Sequence, residues 1–302
     1  MSKKYLKSPF NYTGGKYKLL EQIMPEFPKE IDTFVDLFAG GFNVGINVKA
    51  DKIIYNDIVD YLVDLFKAFN NNSTNYILSH IKKRIDEYNL SKTNEEGYKA
   101  LRNYYNKEKN PLDLYVLICY SFNYQIRFNN SHEYNNSFGR NRSRFSSRLE
   151  KRLIKFVNKL HEKKIEFFNV DFNKFDISIL EENDFVYCDP PYLISTGSYN
   201  DGRRGFKGWS LKEEKELLIL LDKLTNNGVK FALSNVLEHK GNNNELLYEW
   251  SKDYNIIDLN KDYINCNYQA KNNDKFPTRE VLITNYEINE SKSELKQLEM
   301  SF

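Results

Sequence analysis

Thr33-Phe-Val-Asp-Leu-Phe-Ala-Gly-Gly-Phe-Asn-Val-Gly45, followed by Lys52-Ile-Ile-Tyr-Asn-Asp57, decides the fold of this 302-residue chain. The first segment is a β-rich apolar run that meets Ala39-Gly40-Gly41 and passes into a helical pattern. The second is a strand ending in an acid. Strand, glycine turn, helix, strand, acid is the order of the nucleotide-binding half of a doubly wound α/β sheet. The glycines let a ligand approach the backbone, and the Asp57 carboxylate can accept from two ribose hydroxyls. The turn is not the Gly-x-Gly-x-x-Gly that cradles a pyrophosphate. It therefore favours a nucleoside without phosphates, such as S-adenosylmethionine (SAM), over a dinucleotide, although an ordinary βαβ turn would carry the same residues.

A second strand-and-loop unit is Phe185-Val-Tyr-Cys-Asp-Pro-Pro-Tyr192. Two prolines fix φ and remove two N–H donors, so the strand must stop pairing there. The resulting stiff loop holds the Asp189 carboxylate, the Pro190 carbonyl and the Tyr192 ring in fixed relation. The two acceptors can take both hydrogens of a planar amino group while the ring stacks on the plane that carries it. Read alone, the loop is equally a Pro-Pro turn with a capping Asp. A further strand, Ile165-Glu-Phe-Phe-Asn-Val-Asp171-Phe172, ends in an acid and an aromatic, which could hold an adenine or simply cap the next turn of the chain.

Outward from these units, Tyr12-Thr-Gly-Gly-Lys16 opens a short amphipathic helix, either as an anion site at a helix start or as a turn. Amphipathic segments at 61–70, 76–88, 95–106 and 112–120 predict a helical insertion without strands of its own. It closes on a loop-like stretch, 121–145, in which aromatics, amides and arginines interleave. Asn123, Arg127, Asn129, Arg140, Arg142 and Arg144 there suit base edges and phosphates, the alternative being a solvated Asn-rich loop. The pattern predicts a returning helix at 149–163, a flap at 193–208, a helix at 211–225, a strand at 229–235 and a helix at about 245–253. Strands near 256–259 and 280–286 and a frayed tail beyond 289 complete it.

Net charge is only +2, yet Arg127, Arg140, Arg142, Arg144, Arg148, Lys151, Arg152 and Lys155 face just Glu133 and Glu150 over the same span. That is a local basic surface suited to a polyanion. The scattered Cys119, Cys188 and Cys266 suggest neither disulfides nor zinc, the four histidines show no ligand spacing, and no metal is expected. With no signal peptide or membrane span in the pattern, a reducing cytoplasm is the expected setting.

Taken together, the ordered motifs resemble the Dam-type DNA adenine-N6 methyltransferases, the D12 class of the α group. The resemblance runs from Lys16 through Phe-Ala-Gly-Gly and the insertion to Asp-Pro-Pro-Tyr. It implies a Rossmann-like SAM-dependent methyltransferase sheet in two parts, 1–59 and 148–302, with a mostly helical target-recognition insertion at 60–147. It assigns Tyr12, Lys16, Phe38, Ala39 and Gly40 to the methionine end of SAM, Asp57 to the ribose, and Asp171 and Phe172 to the adenine. Asp189 and Pro190 would hold the amino group of a flipped adenine beside the cofactor, Tyr192 would stack on that base, and Asn123 and Arg127 would read guanine. Ser137 stands where the family commonly has Pro before Phe-Gly, and the residues between Asn123 and Arg127 differ too. The resemblance therefore implies a target containing guanine followed by adenine and nothing finer. It implies double-stranded DNA as partner, a monomer or weak dimer, and allows a cognate restriction endonuclease. Competing readings are an RNA adenine or protein glutamine methyltransferase, or a catalytically silent DNA-binding or SAM-sensing relative.

Overall fold

A computed structural model of the chain describes residues 4–194, 208–259 and 278–287. The tail, Cys266 and most of the 193–208 segment lie outside them. Its centre is one mixed sheet. The strands are β1 (Thr33–Asp36), β2 (Lys52–Asn56), β3 (Ile165–Phe168), β4 (Phe185–Cys188), β5 (Lys230–His239), β6 (Asn242–Asn243), β7 (Asn255–Leu259) and β8 (Arg279–Thr284). Their order is β3-β2-β1-β4-β5-β8-β7, with β6 paired to β5. The first five strands pair in parallel, and β8 runs antiparallel between β5 and β7. Strand order reverses between β1 and β4, and the crevice at the carboxyl ends of such a pair is where open α/β sheets bind ligands.

The parallel strands are apolar on both faces because both are covered. Side chains alternate across the sheet. Phe34, Ile53, Tyr55, Phe185 and Tyr187 join one buried cluster, while Val35, Ile54, Val186, Phe231 and Leu233 join the other. The second cluster is closed by Leu217, Leu221 and Leu224 of a helix at Leu211–Asn226, whose start is fixed by a capping box between Ser210 and Glu213.

The first cluster continues without a break into the helical segment. Helices α2 (Asp60–Asn71), α3 (Thr74–Glu87), α4 (Glu95–Glu108) and α5 (Pro111–Tyr120) follow the short α1 (Leu20–Ile23), and α6 (Ser147–His161) returns the chain to β3. The three later insertion helices start where a side chain caps them: Ser73 accepts from Tyr76 N, Asn94 from Gly97 N, and Asn110 from Leu112 N. Each such cap contributes about 1 kcal/mol. Phe66 of α2 lies within ring contact of Phe10, Phe42, Tyr55, Phe69 and Phe156. Among the described residues no helix is long and apolar enough to cross a membrane.

The link between β1 and β2 differs from expectation. Where the glycine turn was expected to lead into a helix, it leads into one 3-10 turn, Gly45–Asn47. Phe42 takes a left-handed φ of 56°, which sends its ring into the core against Tyr55 at 5.0 Å. The apolar residues here fill the core individually and build no helical face. The 121–145 stretch is also more ordered than a loop: isolated bridges join Ser121 to Phe138 and Phe128 to Tyr134 in an antiparallel, hairpin-like fold.

Candidate functional site

A cavity of 350 Å³ opens at the carboxyl ends of β1, β2 and β4, lined by residues of the Tyr12–Lys16 segment and of the loops after β1 to β4. Its size suits a nucleoside. On its floor, Gly40 has a φ of +48°, and a Cβ there would stand 3.0 Å from the Tyr12 ring. Gly40 N donates to Asp57 Oδ2 at 2.7 Å, and Val59 N donates to Asp57 Oδ1 at 2.9 Å. Tyr55 hydroxyl donates to Gly40 O at 2.9 Å. The glycine turn and the acid after β2 are thus welded into one unit, with the carboxylate at the cavity wall. Asn56 adds a second weld, donating to Leu37 O and Val170 O and so joining the loops after β1 and β3.

One wall is aromatic. The Phe38 and Phe172 ring centroids are 5.4 Å apart, and Trp209 closes the group at 5.7 Å from Phe38 and 5.5 Å from Phe172. Asp171 lines the cavity beside them and also caps the next turn, accepting from Asn173 N at 3.3 Å. Trp209 is held by its indole N–H, which donates to Glu214. Glu214 is fully buried and also accepts from Asn235 and Asn244. Burial pushes its carboxyl up, and these three donors hold it down.

At the opposite end, Asp189, Lys16 and Tyr192 form one network. Lys16 Nζ lies 2.6 Å from Asp189 Oδ1 and 4.9 Å from the centroid of the Tyr192 ring. The Tyr192 hydroxyl shares its one proton between Asp189 Oδ1 at 3.1 Å and Glu280 Oε1 at 3.0 Å. Burial raises the Asp189 carboxyl above its usual range, and the Lys16 ammonium opposes that rise. Burial, with both carboxylates nearby, also raises the Tyr192 phenol, which stays a hydrogen-bond donor. Asp36, the last residue of β1, is pushed to about 8 by burial, against one backbone hydrogen bond from Gly45. Pro190 lines the same cavity.

Residues 12–291 match the family model described as D12 class N6 adenine-specific DNA methyltransferase. The chain belongs to this family. It is 60% identical over 282 residues to the type II methyltransferase M.FokI of Planomicrobium okeanokoites, covering 93% of the chain and 43% of that protein. Identity to modification methylase StsI of Streptococcus sanguinis is 53% over 288 residues, 95% of the chain and 44% of that protein. The DNA adenine methylase of Salmonella typhi is 26% identical over 228 residues, 74% of the chain and 78% of that protein. The chain thus spans less than half the length of the first two relatives.

In this D12-class chain the segment after α5 carries the sequence-picked polar residues on one scaffold. Phe128, Tyr134 and Asn136 are buried anchors: Phe128 stacks on Tyr61 of α2 at 4.3 Å, and Asn136 donates to Gln125 O at 2.7 Å. Asn123 and Arg127 stand exposed beside these anchors. Asn123 takes a left-handed φ of 56°, and its carbonyl accepts from Asn11 at 3.1 Å, tying this segment to the chain that enters Tyr12. Arg142 and Arg144 are exposed too, with the Arg142 guanidinium 5.9 Å from the centroid of the exposed Phe122 ring. Two of the picked residues have local partners. Asn129 accepts from Ser131 N and Glu133 N and donates to Glu133 Oε2, bracing its own turn, while Arg140 pairs with Glu95 of α4.

Four site residues were missed in the sequence. Asp36 had a signal, an acid at the end of a strand beside a glycine turn. Trp209 had a weaker one, an aromatic immediately before a helix cap. Glu214 and Glu280 had none, being charged residues within an amphipathic helix and an apolar strand.

Proposed function

We propose that the chain transfers the methyl group of SAM to N6 of an adenine swung out of duplex DNA, at a site containing guanine followed by adenine. The observation that carries this reading is the juxtaposition across one cavity of a glycine-turn-and-acid unit and the partly buried Asp189–Lys16–Tyr192 network. A nucleoside fits the residues present: the Asp57 carboxylate stands at the wall for ribose hydroxyls, and Phe38, Phe172 and Trp209 offer flat faces for the base. Tyr12, Lys16, Ala39 and Gly40 would border the methionine end. When bound, SAM supplies an electrophilic methyl group on a sulfonium.

This chain's own residues would then act on the acceptor. The adenine amino lone pair is delocalised into its ring, so the nitrogen is a poor nucleophile. Accepting its two hydrogens at Asp189 and at the Pro190 carbonyl favours a pyramidal nitrogen with its lone pair aimed at the methyl group. Orientation and electrostatics carry the rate, without a covalent enzyme intermediate. Extruding the base costs a few kcal/mol, roughly, and stacking on Tyr192 offsets part of it. Residues 60–147 act as the recognition insertion between the catalytic parts 1–59 and 148–302, with Asn123 and Arg127 toward base edges and Arg142 and Arg144 toward phosphates. The modification arm of a restriction-modification system, paired with a cognate endonuclease, is the cellular role this reading favours.

The test is incubation of the chain with methyl-labelled SAM and, separately, duplex DNA, RNA and protein extract. Label in the adenines of DNA, lost in Asp189→Ala with SAM affinity retained, is the expected result. Label in RNA or protein alone, or full DNA methylation by Asp189→Ala, would sink the proposal.

A further inference from the structure

Glu280 lies at the start of β8, outside every motif the sequence displays, yet its side chain is 2% exposed and faces the reaction centre. Its Oε1 accepts the Tyr192 hydroxyl at 3.0 Å and lies 3.7 Å from Lys16 Nζ. The same ammonium and the same hydroxyl also reach Asp189 Oδ1, at 2.6 and 3.1 Å. Two carboxylates, one on the loop after β4 and one on β8, therefore share one ammonium and one phenol. A buried carboxylate is costly unless partnered, and Glu280 takes two of its partners from the side chains that touch Asp189.

We infer that Glu280 is a positioning residue for methyl transfer: it fixes Tyr192 and gives Lys16 a second anion to pair with when the adenine amino group engages Asp189. The inference rests on the function proposed above. Asp189 Oδ1 already receives two donors. A third donor arriving from the base at the same carboxylate draws charge away from these two, and an ammonium whose hold on its carboxylate loosens in a buried site needs a second counter-charge. With Glu280 in place, a movement of about an ångström brings Lys16 from 3.7 Å to a full ion-pair distance. Tyr192, hydrogen-bonded to both acids, keeps its ring plane while this happens.

The charge of Glu280 also raises the proton affinity of Asp189, an effect Lys16 opposes. Among the described residues, the charged and titratable groups around that carboxylate are Lys16 from the first segment, Tyr192 from its own loop, Glu280 from β8, Asp36 from β1, and Tyr187 and Cys188 from β4. Removing the Glu280 charge lowers the proton affinity of Asp189, so the acid limb of activity moves to lower pH.

The experiment compares single-turnover methylation of duplex DNA across pH by the full chain, by Glu280→Gln and by Tyr192→Phe, alone and combined, with cofactor binding and thermal unfolding measured on each. Gln keeps an acceptor for Tyr192 but no charge for Lys16. The expected result is a rate reduced about ten- to a hundredfold with cofactor affinity held, an acid limb displaced downward, and single effects that do not add in the double variant. A Glu280→Gln chain with the parent's rate and pH profile, or one whose loss tracks unfolding or cofactor affinity alone, overturns the inference. Failure of the unsubstituted chain to methylate DNA would instead strike the function proposed above. If Glu280→Gln does not fold, Tyr192→Phe decides the matter, since it keeps the ring and removes the hydroxyl that Glu280 holds: a parent-like rate in that variant contradicts the inference.

Discussion

Asp57→Asn separates two roles that one carboxylate can hold. The carboxylate accepts from Gly40 N at 2.7 Å and from Val59 N at 2.9 Å, so it braces the glycine turn whatever else it does. Asn keeps one oxygen and turns an NH2 toward the other backbone donor. One charge-assisted bond is lost and one is weakened, a cost to folding of about 2–4 kcal/mol. If the same oxygens also take ribose hydroxyls, two charged acceptors become at best one neutral acceptor. That costs about 2–3 kcal/mol of cofactor affinity, or about thirty- to a hundred-and-fiftyfold. Calorimetric titration with S-adenosylhomocysteine measures the second number, and denaturant unfolding measures the first. An analogue lacking the ribose hydroxyls closes the cycle: it should bind the unsubstituted chain weakly and lose little more on Asp57→Asn. If Asp57→Asn unfolds more easily yet binds the nucleoside within about threefold of the parent, Asp57 is a turn brace and the ribose assignment is wrong.

Trp209→Ala should weaken nucleoside binding by about 1–3 kcal/mol, the usual scale for a base stacked on an aromatic side chain. In a Trp250→Phe background, Trp209 is the one remaining tryptophan, and its emission should change on cofactor titration. Arg127→Ala should relax discrimination at one base pair by about 1–3 kcal/mol, measured on duplexes substituted one position at a time. Equal loss on all sequences would make it a phosphate contact. Asp36 binds its proton up to about pH 8 when folded but only to about pH 4 when unfolded, so it costs the native state stability as pH rises through that window. Asp36→Asn removes the linkage, and its melting temperature should gain on the parent's steadily from about pH 5 to about pH 8. A constant difference would show that Asp36 does not titrate in that range.

Much of the architecture was legible because it is local. Phe34, Val35, Ile53 and Ile54 form apolar runs that suit a doubly covered strand, and the amphipathic segments at 76–88, 95–106 and 112–120 fall on α3, α4 and α5. The Gly40–Asp57 unit could be read from a strand-turn-acid spacing, since the pairing of β1 with β2 forces the two together. What escaped depends on distant contacts. Phe42 interrupts a helical pattern because its ring has a place in the core, a fact set by Tyr55 and Phe66. Asn129 and Arg140 looked equivalent to Asn123 and Arg127, and only folding shows that Glu133 and Glu95 engage the first two. Glu280 reaches the site because β8 inserts antiparallel beside β5, a pairing that composition does not predict.

The uninterrupted core beneath the insertion has an evolutionary consequence. Phe128 and Tyr134 pin the hairpin-like segment to α2 and α4 through Tyr61 and Tyr105. The exposed side chains of Asn123 and Arg127, just ahead of the first pin, stand outside that anchorage. Under the function proposed above, the segment would behave like interchangeable type in a fixed frame: its outward letters could be reset by point substitution while the anchored backbone that presents them stays in place. A lineage built on this scaffold could acquire a new target word without first passing through an unstable intermediate.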